Sequence, residues 1–277
     1  LGRVSNLSTV WTNVLCAWML GDGGPIEILV GLLIGLSLIY VGGMYLNDYC
    51  DVHFDNQYRP ERPIPSGKVK RSTVLAATLL LFVSGVAVIV WSAPEALLYS
   101  FVLLGLIIAY NLVHKRTVIG VPLMAACRTA VYLIAGSATI SGLTPSIWAA
   151  GILMFFYVLG ITVLARTEST SMQASAAGYA FLIIPMIGTL FLADPPFETR
   201  FLISYCLAAL WIALTFSRAR KTGKLIIGKT IGPLLAGICL IDLAILNSMH
   251  LVSITTLGLF LVFFFLALLA QRFVPAT

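Results

Sequence analysis

Ten apolar runs, each about the length of a bilayer-crossing helix and joined by short polar connectors, leave this chain few ways to fold. They cover roughly residues 4–20, 26–47, 72–92, 96–113, 117–140, 146–165, 174–193, 199–217, 229–247 and 252–271. A hydrocarbon layer offers backbone N–H and C=O groups no water, so a run of this length satisfies them within itself only as an α-helix. The connectors carry turn chemistry, as in Gly21-Asp22-Gly23-Gly24-Pro25, Ala93-Pro94 and Asp194-Pro195-Pro196. Charged residues make up 10% of the chain, against about a quarter in soluble domains, so a water-soluble core is excluded. The expected fold is therefore all-α, a polytopic membrane helix bundle of nine or ten transmembrane helices. Residues 1–277 read as one transmembrane domain, because no separate polar domain interrupts the runs.

The distribution of basic residues tests the span count independently. If successive spans alternate direction, one side collects fifteen of the 17 lysines and arginines, including the Arg59 to Arg71 group, Lys115, Arg116, Arg166 and Arg272. The other side keeps Arg200 with Asp22, Glu27, Glu95, Asp194 and Glu198. The positive-inside rule then places the basic side and both termini in the cytoplasm. A net charge of +6 distributed in this way follows membrane topology and calls for no nucleic-acid partner. Cys16, Cys50, Cys127, Cys206 and Cys239 are scattered with no CxxC pair, and read as small apolar residues rather than a disulfide or zinc framework.

One polar stretch stands apart from the rest. Asn47 to Val69 reads NDYCDVHFDNQYRPERPIPSGKV, with Asp48, Asp51 and Asp55 at i, i+3 and i+7, on one helical face. Carboxylates so placed repel one another unless a cation neutralises them, and Mg²⁺ prefers oxygen ligands. Arg59, Arg62, Lys68, Lys70 and Arg71 follow, so the composition suits a magnesium diphosphate; a solvated loop between spans is the plain alternative.

The string NDxxDxxxD followed by RPERPIPSG at Arg59 to Gly67 resembles the first aspartate motif of the UbiA superfamily of intramembrane prenyltransferases. Tyr110 to Arg116 (YNLVHKR) is similar to that family's tyrosine-to-lysine motif, and Arg3 to Asn13 to its first-helix segment with a pocket-lining asparagine. Where the family carries a second aspartate motif, this chain reads LARTESTS at Leu164 to Ser171, with Glu168 and no aspartate. That departure is similar to the EboC-like branch.

The resemblance implies a bundle around a central, lipid-open cavity in which Mg²⁺ and basic residues ionise an isoprenoid diphosphate for attack by a small acceptor, aromatic or otherwise cyclic. It implies Asp48, Asp51 and Asp55 as catalytic metal ligands, joined by Asn47 and, from the facing loop, Glu168. Asn13, Arg62, Lys115, Arg128 and Arg166 become the expected substrate-binding residues. The missing second motif keeps another reading open, a non-catalytic lipid- or isoprenoid-binding protein serving export or a membrane complex. Arg128 is singled out by position as well, since it falls about ten residues into a span, where charge is costly and marks function by default. Snorkelling to the surface is its plain alternative. Asp242, deep in the ninth run, reads equally as a helix-pairing residue or a protonated one. His53, His114 and His250 have no zinc-like spacing, and Gly31 with Gly35 reads as a close helix contact.

Overall fold

The computed structural model describes residues 4–115, 117–169, 176–193, 198–221, 227–249 and 252–274, with side chains except at 167–169, 219–221 and 227–229. Twelve α-helices lie among the described residues: α1 (Leu7–Leu20), α2 (Ile26–Cys50), α3 (Val52–Tyr58), α4 (Arg71–Ser92), α5 (Leu97–Val113), α6 (Gly120–Ser137), α7 (Pro145–Ser169), α8 (Ala176–Leu192), α9 (Thr199–Lys221), α10 (Ile227–Ala236), α11 (Ile238–Met249) and α12 (Ile254–Phe273). Among the described residues, eight helical segments are long and apolar enough to cross a membrane. The first and seventh expected spans are the shorter α1, with 14 residues, and α8, with 17.

Exposure supports a lipid surround. Trp91, Phe191, Val83, Leu80 and Phe273 all point outward, and water would penalise so much apolar surface. In hydrocarbon it costs nothing. The chain is an integral, multi-pass membrane protein.

Neighbouring spans pack in sequence through α2, α4, α5, α6, α7 and α8, while α1 and α11 run through the middle. α11 touches α1, α7, α8, α9 and α12, and every residue from Ile238 to Ser248 is buried. These two central helices carry the polar residues Asn13 and Asp242 into the interior.

The tightest pairing is α2 with α4, and it depends on glycine. A Cβ at Gly35 would sit 2.8 Å from the Gly85 carbonyl oxygen, and one at Gly85 would sit 2.8 Å from that of Gly35. The two backbones therefore touch, which bears out the packing read from Gly31 and Gly35. The contact anchors the N-terminal half of α2, whose C-terminal end carries Asn47 and Asp48.

The ninth span differs from a single helix. It breaks at Gly237 between α10 and α11, with Pro233 one turn before the break. Carbonyls freed there need donors at membrane depth. Leu234 O, left without a backbone donor, accepts from the Tyr157 hydroxyl at 3.0 Å, while Pro233 O keeps its 2.9 Å bond from Gly237 N and takes a second from the Trp211 indole N–H at 2.8 Å. A Cβ at Gly237 would come within 2.7 Å of that same hydroxyl, so glycine makes room for the donor.

Candidate functional site

The aspartate stretch is helical, with one change of direction. α2 ends at Cys50, Asp51 forms the junction, and α3 resumes at Val52, yet the i to i−4 hydrogen bonds run on through Asp51 and Asp55 at 2.9 Å each. The face expected from spacing is therefore kept: Asn47, Asp48, Asp51 and Asp55 all turn inward and are buried, Asp55 to 1% exposure. His53, from the other face, is exposed.

The carboxylates do not wait bare for an external cation. Arg62, brought back by the RPERP turn, places Nη1 2.8 Å from Asp55 Oδ2 and 3.3 Å from Asp48 Oδ1. From the end of α5, Lys115 Nζ lies 3.2 Å from Asp51 Oδ2 and His114 Nε2 lies 3.4 Å from Asp51 Oδ1. Among the described residues, no three acidic, histidine or cysteine side chains converge as a ready metal cage. The expected repulsion among the carboxylates is met within the chain, by the cations of Arg62 and Lys115. Burial pushes the Asp51 carboxyl up, but hydrogen bonding and charge from His114 and Lys115 outweigh it and hold the group below the usual carboxylate value.

His114 joins this site although its spacing singled it out for no role. Its ring stacks on Tyr110 with centroids 4.7 Å apart, and Nδ1 lies 3.1 Å from Tyr110 O, one turn back. The signal was the i, i+4 spacing of Tyr110 and His114 within YNLVHKR. Lys115 is steadied from below by the Phe54 ring, 3.4 Å from Nζ to its centroid. Asn111, another residue of that motif, accepts a 3.1 Å bond from Asn47 Nδ2.

Beneath these groups lies a chamber of about 430 Å³, which Asp51, Arg59, Arg62, Tyr110, His114, Arg128 and Arg166 help to line. An apolar cleft lies beside it between α1, α2, α5 and α6, walled by side chains such as Val10, Leu36, Ile39, Leu103, Ile107 and Val131. Asn47, Tyr40, Met44, Tyr110, Met124 and Arg128 border both spaces. Arg166 reaches across from α7 and donates to Thr117 O at 2.5 Å, fixing the loop between α5 and α6. Glu168 lies on α7, but its side chain is outside the described residues.

Arg128 does not snorkel. Its guanidinium turns sideways to α1, donating 3.0 Å bonds to Asn13 Oδ1 and Thr9 Oγ1. Asn13, expected to line the pocket, is fully buried and meets the chamber only through Arg128. On its other side Asn13 Nδ2 donates to both oxygens of Asp242, which also accepts from the Tyr132 hydroxyl. Asp242 is thus tied to the site by a contact 229 residues away in sequence, which no local pattern announces.

As to a cation, the donors at the mouth suit one in kind: they are oxygens, buried, on successive turns of one helical face. Asp55 Oδ1 is buried and has no hydrogen bond among the described residues, so one lone-pair site is left unmet. Asn47, Asp48, Asp51 and Asp55 are the residues that fit a hard divalent ion.

Comparison with known proteins agrees with this architecture. A digeranylgeranylglyceryl phosphate synthase of Methanoculleus marisnigri is 30% identical over 189 residues, 67% of this chain and 66% of that protein. A 4-hydroxybenzoate octaprenyltransferase of Aeromonas hydrophila is 31% identical over 115 residues, 40% of each chain. Matches to such curated relatives thus span two thirds of their length or less. The apo structure of a UbiA homologue from Aeropyrum pernix K1 superposes with a TM-score of 0.69 at 16% identity, covering 88% of this chain and 98% of that one. A fold of this kind, with an inward aspartate face over an apolar cleft, is accompanied by a family match that runs from residue 7 to residue 276. The chain belongs to the UbiA prenyltransferase family.

Proposed function

We propose that the protein transfers an isoprenoid group from a prenyl diphosphate to a small acceptor, with Mg²⁺, at the cytoplasmic face of the membrane. The observation that carries this reading is the meeting of two opposite environments. Buried aspartates with Arg62, His114 and Lys115 stand over a chamber that continues into an apolar cleft. A diphosphate suits the first environment and its hydrocarbon tail suits the second. The cytoplasmic assignment rests on the basic residues around this mouth.

In this reading Asp48, Asp51 and Asp55, with Asn47 and a carboxylate from Glu168, hold Mg²⁺, which supplies charge neutralisation to the departing diphosphate. The carboxylates then exchange their present partners, so Arg62 and Lys115 become free to turn onto diphosphate oxygens. The C–O bond to the diphosphate breaks, the acceptor forms the new bond to the allylic carbon, and the acceptor's proton passes to the released diphosphate or to water at the mouth. Tyr110, Met44 and Met124 border the place where that carbon would lie, and their bulk keeps water from intercepting it.

A second reading is favoured by the ion pairs themselves. Since the chain already neutralises its aspartates, the mouth could serve structure alone, in a protein that binds prenylated lipid for export or as a subunit of a membrane complex. Binding of geranylgeranyl diphosphate to detergent-purified protein separates the two. The transferase reading expects binding that requires Mg²⁺ and is lost in Asp51→Asn. Binding indifferent to both, or no binding, would leave the second reading standing.

A further inference from the structure

We propose that Asp242 is a positioning residue that, through Asn13, holds Arg128 as the reader of an anionic group on the acceptor; this rests on the transferase reading above.

Arg128 lies eight residues into α6, about 12 Å along the helix from its first residue. At that depth a guanidinium needs a reason and a partner. The partners it has on α1 are neutral, Asn13 and Thr9, four residues apart and so on one helical face. Among the described residues no carboxylate lies within ion-pair distance of it. Two of its five N–H donors are accounted for by these bonds, and the side chain borders both the chamber and the apolar cleft. Its positive charge is therefore held still but not cancelled at contact distance.

Asp242 explains why it is held that way. An asparagine amide can be turned over, and a turned Asn13 would aim its N–H₂ at the guanidinium and its oxygen at a carboxylate, two like-to-like contacts. With both Asp242 oxygens on Nδ2, at 3.0 and 2.9 Å, only one orientation is satisfied, and it presents Oδ1 to Arg128. Asp242 is fully buried and lines neither space, so it touches no substrate. It balances the charge of Arg128 at a distance, with one amide between them. An anion in the chamber would meet the near cation more strongly than the far carboxylate.

The donor's diphosphate already has a place at the mouth. An anionic site beside the apolar cleft is therefore spare, and a carboxylate or phosphate monoester on the acceptor fits it.

The test compares binding of matched probes to detergent-purified protein with Mg²⁺: 4-hydroxybenzoate against 4-hydroxybenzyl alcohol, and a 1-acylglycerol 3-phosphate against the same monoacylglycerol. Geranylgeranyl diphosphate binding and the thermal midpoint are followed alongside. At least one anionic probe should bind about tenfold more tightly than its neutral partner, the increment of a charge-assisted contact. Arg128→Gln should erase that preference and leave geranylgeranyl diphosphate binding in place. The decisive variant exchanges the two central groups, Asn13→Asp with Asp242→Asn. It keeps the atoms and the network but sets a carboxylate against Arg128, so the preference should vanish while the midpoint holds. If the wild type shows no anionic preference, or the exchanged variant keeps it, the proposal is overturned. Loss of geranylgeranyl diphosphate binding in Arg128→Gln would reassign the guanidinium to the donor and also overturn it. No geranylgeranyl diphosphate binding by the wild type would instead sink the transferase reading, a separate failure.

Discussion

Two groups of carboxylates in this bundle solve the same problem in opposite ways. At the mouth, Asp48, Asp51 and Asp55 are answered by the cations of Arg62 and Lys115, with the His114 ring also on Asp51, on turns and helix ends. At depth, Asp242 is answered by an amide and two hydroxyls, those of Asn13, Tyr132 and Thr12, with the Arg128 cation one residue further off. Charged partners at a polar edge can be exchanged, because water and incoming ions can replace them as they leave. Neutral donors in a closed interior cannot, because nothing else there can satisfy the group they abandon. The mouth is built for exchange and the interior for permanence.

The largest expected effect breaks the interior. Asp242→Leu leaves Asn13 Nδ2 and the Tyr132 hydroxyl without an acceptor and Arg128 without a balancing charge. A loss of about 3–5 kcal/mol is expected, read as a collapsed thermal midpoint or as a failure to recover folded protein in detergent. A midpoint near wild type would show that the interior network is as replaceable as the mouth.

Arg62→Ala ranks next and sharpens the contrast. Asp48 and Asp55 lose their shared cation while staying buried, at a cost of about 1–3 kcal/mol in metal-free buffer. Millimolar Mg²⁺ should restore part of the midpoint, since an ion that binds only the folded state at ten times its Kd stabilises by about 1.4 kcal/mol. No recovery with Mg²⁺ would mean the mouth does not exchange its cations at all.

Lys115→Met is expected to cost least, about 0–1 kcal/mol, because Lys115 is partly exposed and His114 remains on Asp51. Thermal melts at low and high salt check this, and a larger loss that persists in high salt would argue that Asp51 is held as rigidly as Asp242.

What could be read in advance follows the same division. The inward face of Asp48, Asp51 and Asp55 survives even the junction at Asp51, because helical spacing sets it locally. The close approach at Gly35 was legible for a similar reason, though its partner Gly85 was not. His114 was passed over because its spacing was weighed for zinc, whereas its role comes from an aspartate on another helix. The break at Gly237 was hidden as well: Pro233 hints at it, but the donor that satisfies Leu234 O comes from Tyr157.

By itself the amino-acid order determined that the chain spans a membrane many times, where its spans lie, and which face of the aspartate helix turns inward. Those properties depend on apolar run length and on a periodicity of a few residues, both contained in any short window. Only the tertiary structure decided that Arg62 and Lys115 rest on the aspartates, that α1 and α11 form the buried centre, and that Asp242 stands behind Arg128. These are choices of neighbour among apolar helices of similar character, and they are settled by which small residues let backbones meet and which polar groups find one another at depth.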